Sequence, residues 1–488
     1  MPSLSGDENI IFAALSQLDS IAFAIVRGFT LDDAKMWVTG GAVRDVITGR
    51  KVTDLDLVCD KDPIPFLRSF AKSNGFGFAV LDATRKIARL VTRSTALATI
   101  DVAMMQGNTI EDDLNCRDFT INAIAVKWND NGVKIIDPVD GISDLRNKVL
   151  RPVSDTAFKN DPVRIIRGYR FELEHALTRV PQITQMATKS KNLLAQAPGE
   201  RVAQEVAHIL KNGDSHKAFV AMNNDGVLKI LFPEVTASKE VTQNKWHHLD
   251  VYDHTMETLK RFEETIKNTP CWLAPWEEKI NRALNVKITG GLDALSISKL
   301  AVIYHDTGKP VTRAVADDGK VTFYGHEKES GRLANIMAKR LKLSKTARES
   351  ILLLVKNHLR PLNAITDEKI SRRSVYRYTR DMGAWCIPAI LISIADALAT
   401  NGPAVTEARR NNEHNAILRI FEYLHEREKA PLEPVVNGKD ILNYFGVKPG
   451  PIVGKLLKDA HEALALNQIK TRKEAFIFLE RRLKEYRH

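Results

Sequence analysis

Cysteine is scarce: four in 488 residues, at Cys59, Cys116, Cys271 and Cys386, with no C-x-x-C pair. Neither a disulfide framework nor a zinc ribbon is expected, and a reducing compartment fits. Uninterrupted apolar runs fall short of the roughly 18 residues that a membrane helix needs, so no membrane partner is expected. The opening MPSLSGDENIIFAALSQLD has early acids at Asp7 and Glu8 and no basic region, which argues against a signal or transit peptide and for the cytoplasm. The sequence has no repeat of fixed period and no low-complexity tract, which excludes solenoids. With 26 glycines and 19 prolines, it is neither collagen-like nor disordered.

What is present is the composition of a folded globular protein, 44% apolar and 27% charged. At roughly 150 residues per domain, the length corresponds to about three domains. Lys and Arg number 71 against 60 Asp and Glu, a formal charge of +11. Such an excess favours a polyanionic partner without choosing among RNA, DNA and acidic lipid.

Apolar spacing predicts one amphipathic helix from Glu8 to Phe29, a strand at Met36–Thr39, the pair Gly40-Gly41, and a helix through Val43, Val46 and Ile47 that stops at Gly49. Further strands are expected at Leu55–Cys59, Phe78–Leu81, Ala88–Thr92, Ala98–Ala103, Asn122–Trp128 and Lys134–Ile136, with a turn at Asp130-Asn131-Gly132. After about Val153 helical periodicity takes over, interrupted by a small hairpin within Val315–Tyr324 around Asp318-Gly319. The fold class is therefore α+β: a head with a small mixed β-sheet, then an all-α remainder.

Asp54 and Asp56 lie in TDLDLV, where strand alternation turns both carboxylates to one face and Leu55 and Leu57 to the other. Two carboxylates in one small space call for a hard divalent cation, and Mg²⁺ with substrate phosphates is the usual solution. A D-x-D on an edge strand is commonly just a solvated face, so the context matters. Gly40 and Gly41 offer backbone N–H groups at a helix start, and Arg44, one turn in, reaches an anion held there. Asp101, in TIDVAMM, is a candidate third carboxylate. Together these describe a metal-bound triphosphate site suited to nucleotidyl transfer by two-metal logic.

Six motifs then carry a family resemblance: GGAVRD (Gly40–Asp45), TDLDL (Thr53–Leu57), EDDLNCRDFTINAIA (Glu111–Ala125), IIDPVDGISDLRNKVLR (Ile135–Arg151), NDPVRIIRGYRF (Asn160–Phe171) and APGERVAQEV (Ala197–Val206). In this order they resemble class II tRNA nucleotidyltransferases, the CCA-adding enzymes and their bacterial poly(A) polymerase relatives. The resemblance implies that Asp54 and Asp56 hold Mg²⁺, that Gly40, Gly41 and Arg44 hold the triphosphate, and that Arg117, Asp118 and Asn122 hold sugar and phosphates. Asp161 and Arg164 match the family's base-reading pair, and Arg167 and Arg170 of the same motif are counted with the nucleotide-binding residues.

Chemically the pair makes sense. On one helix face, a carboxylate accepts from an exocyclic amine while a guanidinium donates to the neighbouring ring nitrogen. Cytosine and adenine present that pattern, whereas uracil and guanine do not. The plain alternative is that Asp161 caps the helix and Pro162 occupies its first turn. Asn160 stands where the family has Glu, and Cys116 where it usually has Arg. The stretch Val102–Thr109 is short, as in members that add only the two cytidines, so CC addition and full CCA addition both stand.

A second constellation follows: His254 in VYDHTMETL, His305-Asp306 in YHDTGKP, His326, His358 and Asp396. Imidazoles with carboxylates suit a transition metal. The pattern resembles the HD phosphohydrolase superfamily over about Lys245–Asn401. It implies His254, His305, Asp306 and Asp396 as ligands of a divalent transition metal or Mg²⁺, His326 and His358 at positions used for a second metal, and hydrolysis of a phosphoester. The basic helical end resembles a tRNA-binding tail. The expected organisation is a head at 1–153, a helical base- and RNA-binding neck at 154–235, an HD-type helical body at 236–410 and a helical tail at 411–488. The expected partners are tRNA, CTP and ATP; the oligomeric state is not legible. Poly(A) polymerase is an alternative of the same class, and a metal-dependent HD phosphohydrolase with an RNA-binding head is one of another class.

Overall fold

A computed structural model describes residues 6–487 except 17–19, 32–33, 93–97, 130–131, 245, 289 and 364–370. The chain separates into two compact units: Met1–Glu205 with Ala221–Leu231, and Val206–Val220 with Phe232–His488.

The first unit is built on a seven-stranded sheet. In chain order the strands are β1 (Met36–Thr39), β2 (Asp54–Cys59), β3 (Gly77–Asp82), β4 (Ile87–Val91), β5 (Thr99–Met104), β6 (Ala125–Asn129) and β7 (Gly132–Ile136). Their spatial order is β3-β4-β5-β2-β1-β6-β7. Only β2 with β5 is parallel, so the sheet is mixed, as expected. Leu55, Leu57, Ile100 and Val102 are fully buried, which leaves Asp54, Asp56 and Asp101 on the opposite face, because side chains alternate along a strand.

The expected strands are all present with ends shifted by one to three residues, except that Asn122 belongs to the 3-10 turn Thr120–Asn122 and β6 starts at Ala125. The expected N-terminal helix is present as Gly6–Ser16 and Ser20–Leu31, and residues 17–19 between them lie outside the described residues. The turn residues Asp130 and Asn131 lie outside the described residues. A helix at Ile64–Asn74, closed by Gly75 in the left-handed region, was not foreseen. Beyond the sheet come Val163–His175, which starts behind Pro162 and stops at Ala176 in the left-handed conformation, and Pro181–Ser190.

The second unit is helical apart from the expected hairpin, which pairs Ala314–Val315 with Val321–Thr322. Its centre packs the helices Val251–Lys267, Ala294–Tyr304, Lys345–Asn357 and Cys386–Ala399. By length and composition alone, one helical stretch among the described residues, Arg372–Ala399, passes as a membrane span. However, 67% of its apolar window is buried inside the protein, so it reads as a core helix.

One charge is locked into this unit. Lys299, 1% exposed, donates to Glu263 Oε1 (2.7 Å) and to the Asn212 carbonyl (2.6 Å). Glu263 also accepts from the main-chain N–H of Ser215 (2.8 Å) and meets His216 Nδ1 (2.6 Å), closing the start of the helix Ser215–Asn224. Burial pulls the Lys299 ammonium below its usual range even with Glu263 beside it, while Glu263, which burial alone would push up, is held low by His216 and Lys299. Removing one partner leaves an uncompensated buried charge. Lys299→Met is therefore expected to lower the unfolding free energy in urea by about 3–5 kcal/mol.

Candidate active site

The polymerase-type site starts from a steric requirement. Gly40 has φ +67°, and a Cβ there would lie 3.0 Å from Arg117 Nη1 and 3.3 Å from Asp56 Oδ2. The glycine thus supplies both the backbone conformation and the close approach. Immediately after it the helix Gly41–Ile47 begins, with Arg44 buried one turn in. In register, Thr39 faces Asp56 and Asp56 faces Asp101. Asp54, Asp56 and Asp101 are brought to one face beneath the glycine corner.

These carboxylates are held apart by neutral and cationic neighbours. Asp54 accepts from Thr53 Oγ1 (3.0 Å) and Thr99 Oγ1 (2.5 Å). Asp101 is gripped through both oxygens by Arg89, each at 2.7 Å. Burial, then the charge of Asp101, pushes the Asp56 carboxyl above its usual range, against the pull of Arg117 and the Gly41 N–H. A like-charged cluster with a carboxyl raised in this way is the donor set that a hard divalent cation relieves, so the residues fit Mg²⁺.

Behind the corner runs a buried network. Arg44 Nη1 donates to Asn122 Oδ1 (2.7 Å), Asn122 Nδ2 to Asp118 Oδ1 (3.0 Å), Arg167 Nη1 to Asp118 Oδ2 (3.0 Å) and Arg167 Nε to Glu205 Oε1 (2.9 Å). Arg170 pairs with the same Glu205 at 3.2 Å. Both Arg44 and Arg170 lie over the Phe171 ring. Burial would raise the Asp118 carboxyl, but Arg167 and Asn122 outweigh it and hold it low. Arg117 donates to Thr39 Oγ1 (3.0 Å) and Asp113 Oδ2 (3.1 Å).

Asp161 and Arg164 come together, at 3.9 Å, but not as two residues of one helix face. Asp161 is extended (φ −149°, ψ 98°), because a residue before proline is pushed out of the helical region. Its Oδ1 accepts the Val163 N–H at 3.2 Å, so the capping role also holds. Arg164 donates to the carbonyls of Arg117 (3.0 Å) and Cys116 (2.9 Å), so the departure at Cys116 leaves this anchor untouched. Sequence reading missed Arg201, which forks onto both Asp161 oxygens at 3.1 and 2.6 Å, and it missed Arg89 and Glu205. Arg201 and Glu205 lie inside the quoted APGERVAQEV, which was their available signal. The short connection is Met105 to Asn108, ended by Thr109, which caps the helix Ile110–Asn115 together with Asp112.

The second unit gathers the other predicted cluster. Among the described residues, three sets of metal-type ligand atoms lie within 4.8 Å of one another: His254/His305/Asp306, His305/His358/Asp396 and Asp306/His326/His358. His305, His326 and His358 each place Nδ1 on the carbonyl three residues earlier, at 2.6, 2.9 and 2.7 Å. An Nδ1–H donated to a carbonyl leaves the Nε2 lone pair free and aimed inward. Among the described residues, those three Nε2 atoms are buried without a hydrogen-bond partner and face Asp306, which is what a divalent metal would satisfy, so the residues fit one.

His254 Nε2 meets Asp396 Oδ1 at 2.9 Å. Burial, and then His305, brings His358 down to about 3, which keeps the ring neutral. Lys309, also missed, sits 2.6 Å from Asp306 Oδ2. A cavity of about 510 Å³ opens here, lined by His247, Asp306, Lys309, His326 and Asp396 among others.

Comparison with known proteins assigns a family model to each of the two regions that carry these clusters. Residues 36–151 match the family model "Poly A polymerase head domain", 181–239 "Probable RNA and SrmB- binding site of polymerase A", 251–401 "HD domain" and 332–479 "tRNA nucleotidyltransferase domain 2 putative". The chain is 32% identical over 451 residues to the A-adding tRNA nucleotidyltransferase of Deinococcus radiodurans, covering 91% of this chain and 94% of that one. This chain belongs to the tRNA nucleotidyltransferase family.

It is also 27% identical to the CC-adding tRNA nucleotidyltransferase of Thermus thermophilus, over 90% of this chain and 92% of that one. A solved CCA-adding enzyme of Thermotoga maritima, complexed with tRNA, shares the fold at TM-score 0.61 and 20% identity, over 98% of each chain. The family member described here is thus a nucleotidyltransferase of the CCA-adding type with an HD domain.

Gly308 decides whether the HD cluster can close. A Cβ there would lie 2.3 Å from the His326 carbonyl oxygen and 2.6 Å from the Ser330 nitrogen, so Gly308→Ala must push the helix His326–Arg340 away from Asp306. The expected outcome is at least about tenfold weaker divalent-metal binding, measured by titration calorimetry with Mn²⁺, with the far-ultraviolet spectrum unchanged.

Proposed function

We propose that this enzyme adds cytidine and adenosine to the 3′ end of tRNA from CTP and ATP, in the cytoplasm, with residues of the head and neck alone choosing the base. The observation that carries the reading is the Asp161–Arg164 pair, a carboxylate beside an anchored guanidinium. Cytosine and adenine both offer an amine beside a ring acceptor to such a pair, whereas uracil or guanine would leave polar groups unpaired.

In this reading Asp54 and Asp56 hold Mg²⁺ with Asp101 as a third carboxylate. When bound, Mg²⁺ supplies charge for the departing pyrophosphate and makes the RNA 3′-hydroxyl more acidic. Gly40, Gly41 and Arg44 orient the triphosphate, and Arg117 reaches the phosphates beside Asp56. Asp118, Asn122, Arg167 and Arg170 are engaged with one another and with Glu205, which supports a positioning role. In the second unit Arg360, Arg373, Arg377 and Arg380 share the two carboxylates of Asp381 and Glu462, leaving excess positive charge suited to an RNA backbone.

A narrower reading, addition of the terminal adenosine alone, is favoured by the 32% identity to an A-adding enzyme. Product sequencing separates the readings. Substrates are tRNA lacking CCA and tRNA lacking only the adenosine, each given CTP, ATP or both. Growth by CCA is expected; extension of only the second substrate, and only with ATP, would establish the narrower reading. Asp54→Asn with Asp56→Asn is expected to lower addition by more than about 10³-fold.

For the HD site we propose metal-dependent hydrolysis of a phosphoester. His254, His305, Asp306 and Asp396 would hold one divalent cation, and His326 and His358, with Asp306, a second. Lys309 stands beside Asp306, where a cation can meet substrate phosphate. His305→Ala is expected to abolish hydrolysis of a 2′,3′-cyclic nucleotide in Mn²⁺, Ni²⁺ or Mg²⁺ while leaving nucleotide addition in place. Equal hydrolysis by His305→Ala and the parent enzyme would make the domain structural only.

A further inference from the structure

A carboxylate carries about four lone-pair positions on its two oxygens. At Asp161 three are taken. Oδ1 accepts from Arg201 Nη1 (3.1 Å) and from the Val163 N–H (3.2 Å), and Oδ2 accepts from Arg201 Nη2 (2.6 Å). The position left over is on Oδ2, the oxygen 3.9 Å from Arg164 Nε.

We propose that Arg201 is the positioning residue that makes base selection strict: its fork locks Asp161 as an acceptor-only carboxylate with a single position open beside Arg164, which an amine fills and a carbonyl cannot. The proposal rests on the base-reading role of Asp161 given above.

Several features favour this over a merely structural pairing. The fork is bidentate, the geometry that fixes both the rotation and the ionisation of a carboxylate. Arg201 remains 45% exposed on its side chain, and an ion pair so exposed contributes little to stability, so its bidentate geometry calls for another explanation. Burial would raise the Asp161 carboxyl, yet Arg201, the Val163 N–H and Arg164 hold it below its usual range. Among the described residues, the charged groups facing Asp161 are Arg201 from the helix Gly199–Lys211 and Arg164 from the helix Val163–His175. Without Arg201, Asp161 is free to rotate, and a protonated carboxyl donates to the carbonyl of uracil or guanine as readily as an ionised one accepts from an amine.

The test uses the full-length enzyme with tRNA and compares kcat/KM for CTP and ATP with that for UTP and GTP, at neutral and mildly acidic pH, in Arg201→Gln, Arg201→Lys and Asp161→Ala. Arg201→Gln is expected to cut the ratio of correct to incorrect nucleotide by about tenfold or more, further at acid pH, and Arg201→Lys, which keeps charge without the fork, to fall between. An equal loss for all four nucleotides, with the ratio and its pH profile unchanged, overturns the proposal. Should Arg201→Gln fail to fold, the ratio in Arg201→Lys decides in the same way. If Asp161→Ala keeps full selectivity, the base-reading role itself fails. If it loses selectivity while both Arg201 variants keep theirs, only the positioning role fails.

Discussion

The parallel pairing of β2 with β5, inside an otherwise antiparallel sheet, puts Asp56 and Asp101 on one rung, and the rest of the polymerase-type site answers the repulsion that results. Arg89 neutralises Asp101, the Gly41 N–H and Arg117 face Asp56, and Asp54 is turned to two threonine hydroxyls. None of these brings Asp56 back into the usual carboxylate range, because burial first and then the charge of Asp101 hold it above. The turn above it must be glycine because a Cβ at Gly40 would meet both Asp56 and Arg117. The start of the helix carrying Arg44 therefore follows from the need to bring backbone N–H groups down onto an acidic face.

The two candidate cation sites are built in opposite ways. Imidazoles carry no fixed negative charge to repel one another, so His305, His326 and His358 can be gathered in advance, each ring oriented by the carbonyl three residues earlier. Carboxylates cannot be gathered so tightly without a counter-charge. Among the described residues, ligand sets closed within 4.8 Å occur only in the HD cluster. The head keeps its aspartates spread on borrowed partners that a cation would have to displace.

Much of this was legible where a short period decides it. The facing of Asp54 and Asp56 follows from strand alternation, and the burial of Leu55 and Leu57 agrees. The imidazole and aspartate cluster followed from motif order. What failed was local or distant. Pro162 takes Asp161 out of the helix, so the three-residue spacing did not mean a shared face. Arg89 and Arg201 look like ordinary surface arginines, because their carboxylate partners lie 12 and 40 residues away in sequence, and only the folded chain brings them together.

Distance in sequence is also why the nucleotide site behaves as one object. From Arg44 the bonds run through Asn122, Asp118 and Arg167 to Glu205, and Glu205 returns to Arg170 and the Phe171 ring that Arg44 covers. The loop of contacts closes on itself. Asp118 and Glu205 are buried and share Arg167, and Glu205 also holds Arg170, so losing either leaves positive charge under-compensated and the remaining groups must shift. The helix Val163–His175 carries Arg164 near its start and Arg167 and Arg170 within this network, so a shift at the Asp161–Arg164 pair passes along one rigid element to the buried charges; in the proposed reading, that is how a base contact would govern the placement of a distant phosphate.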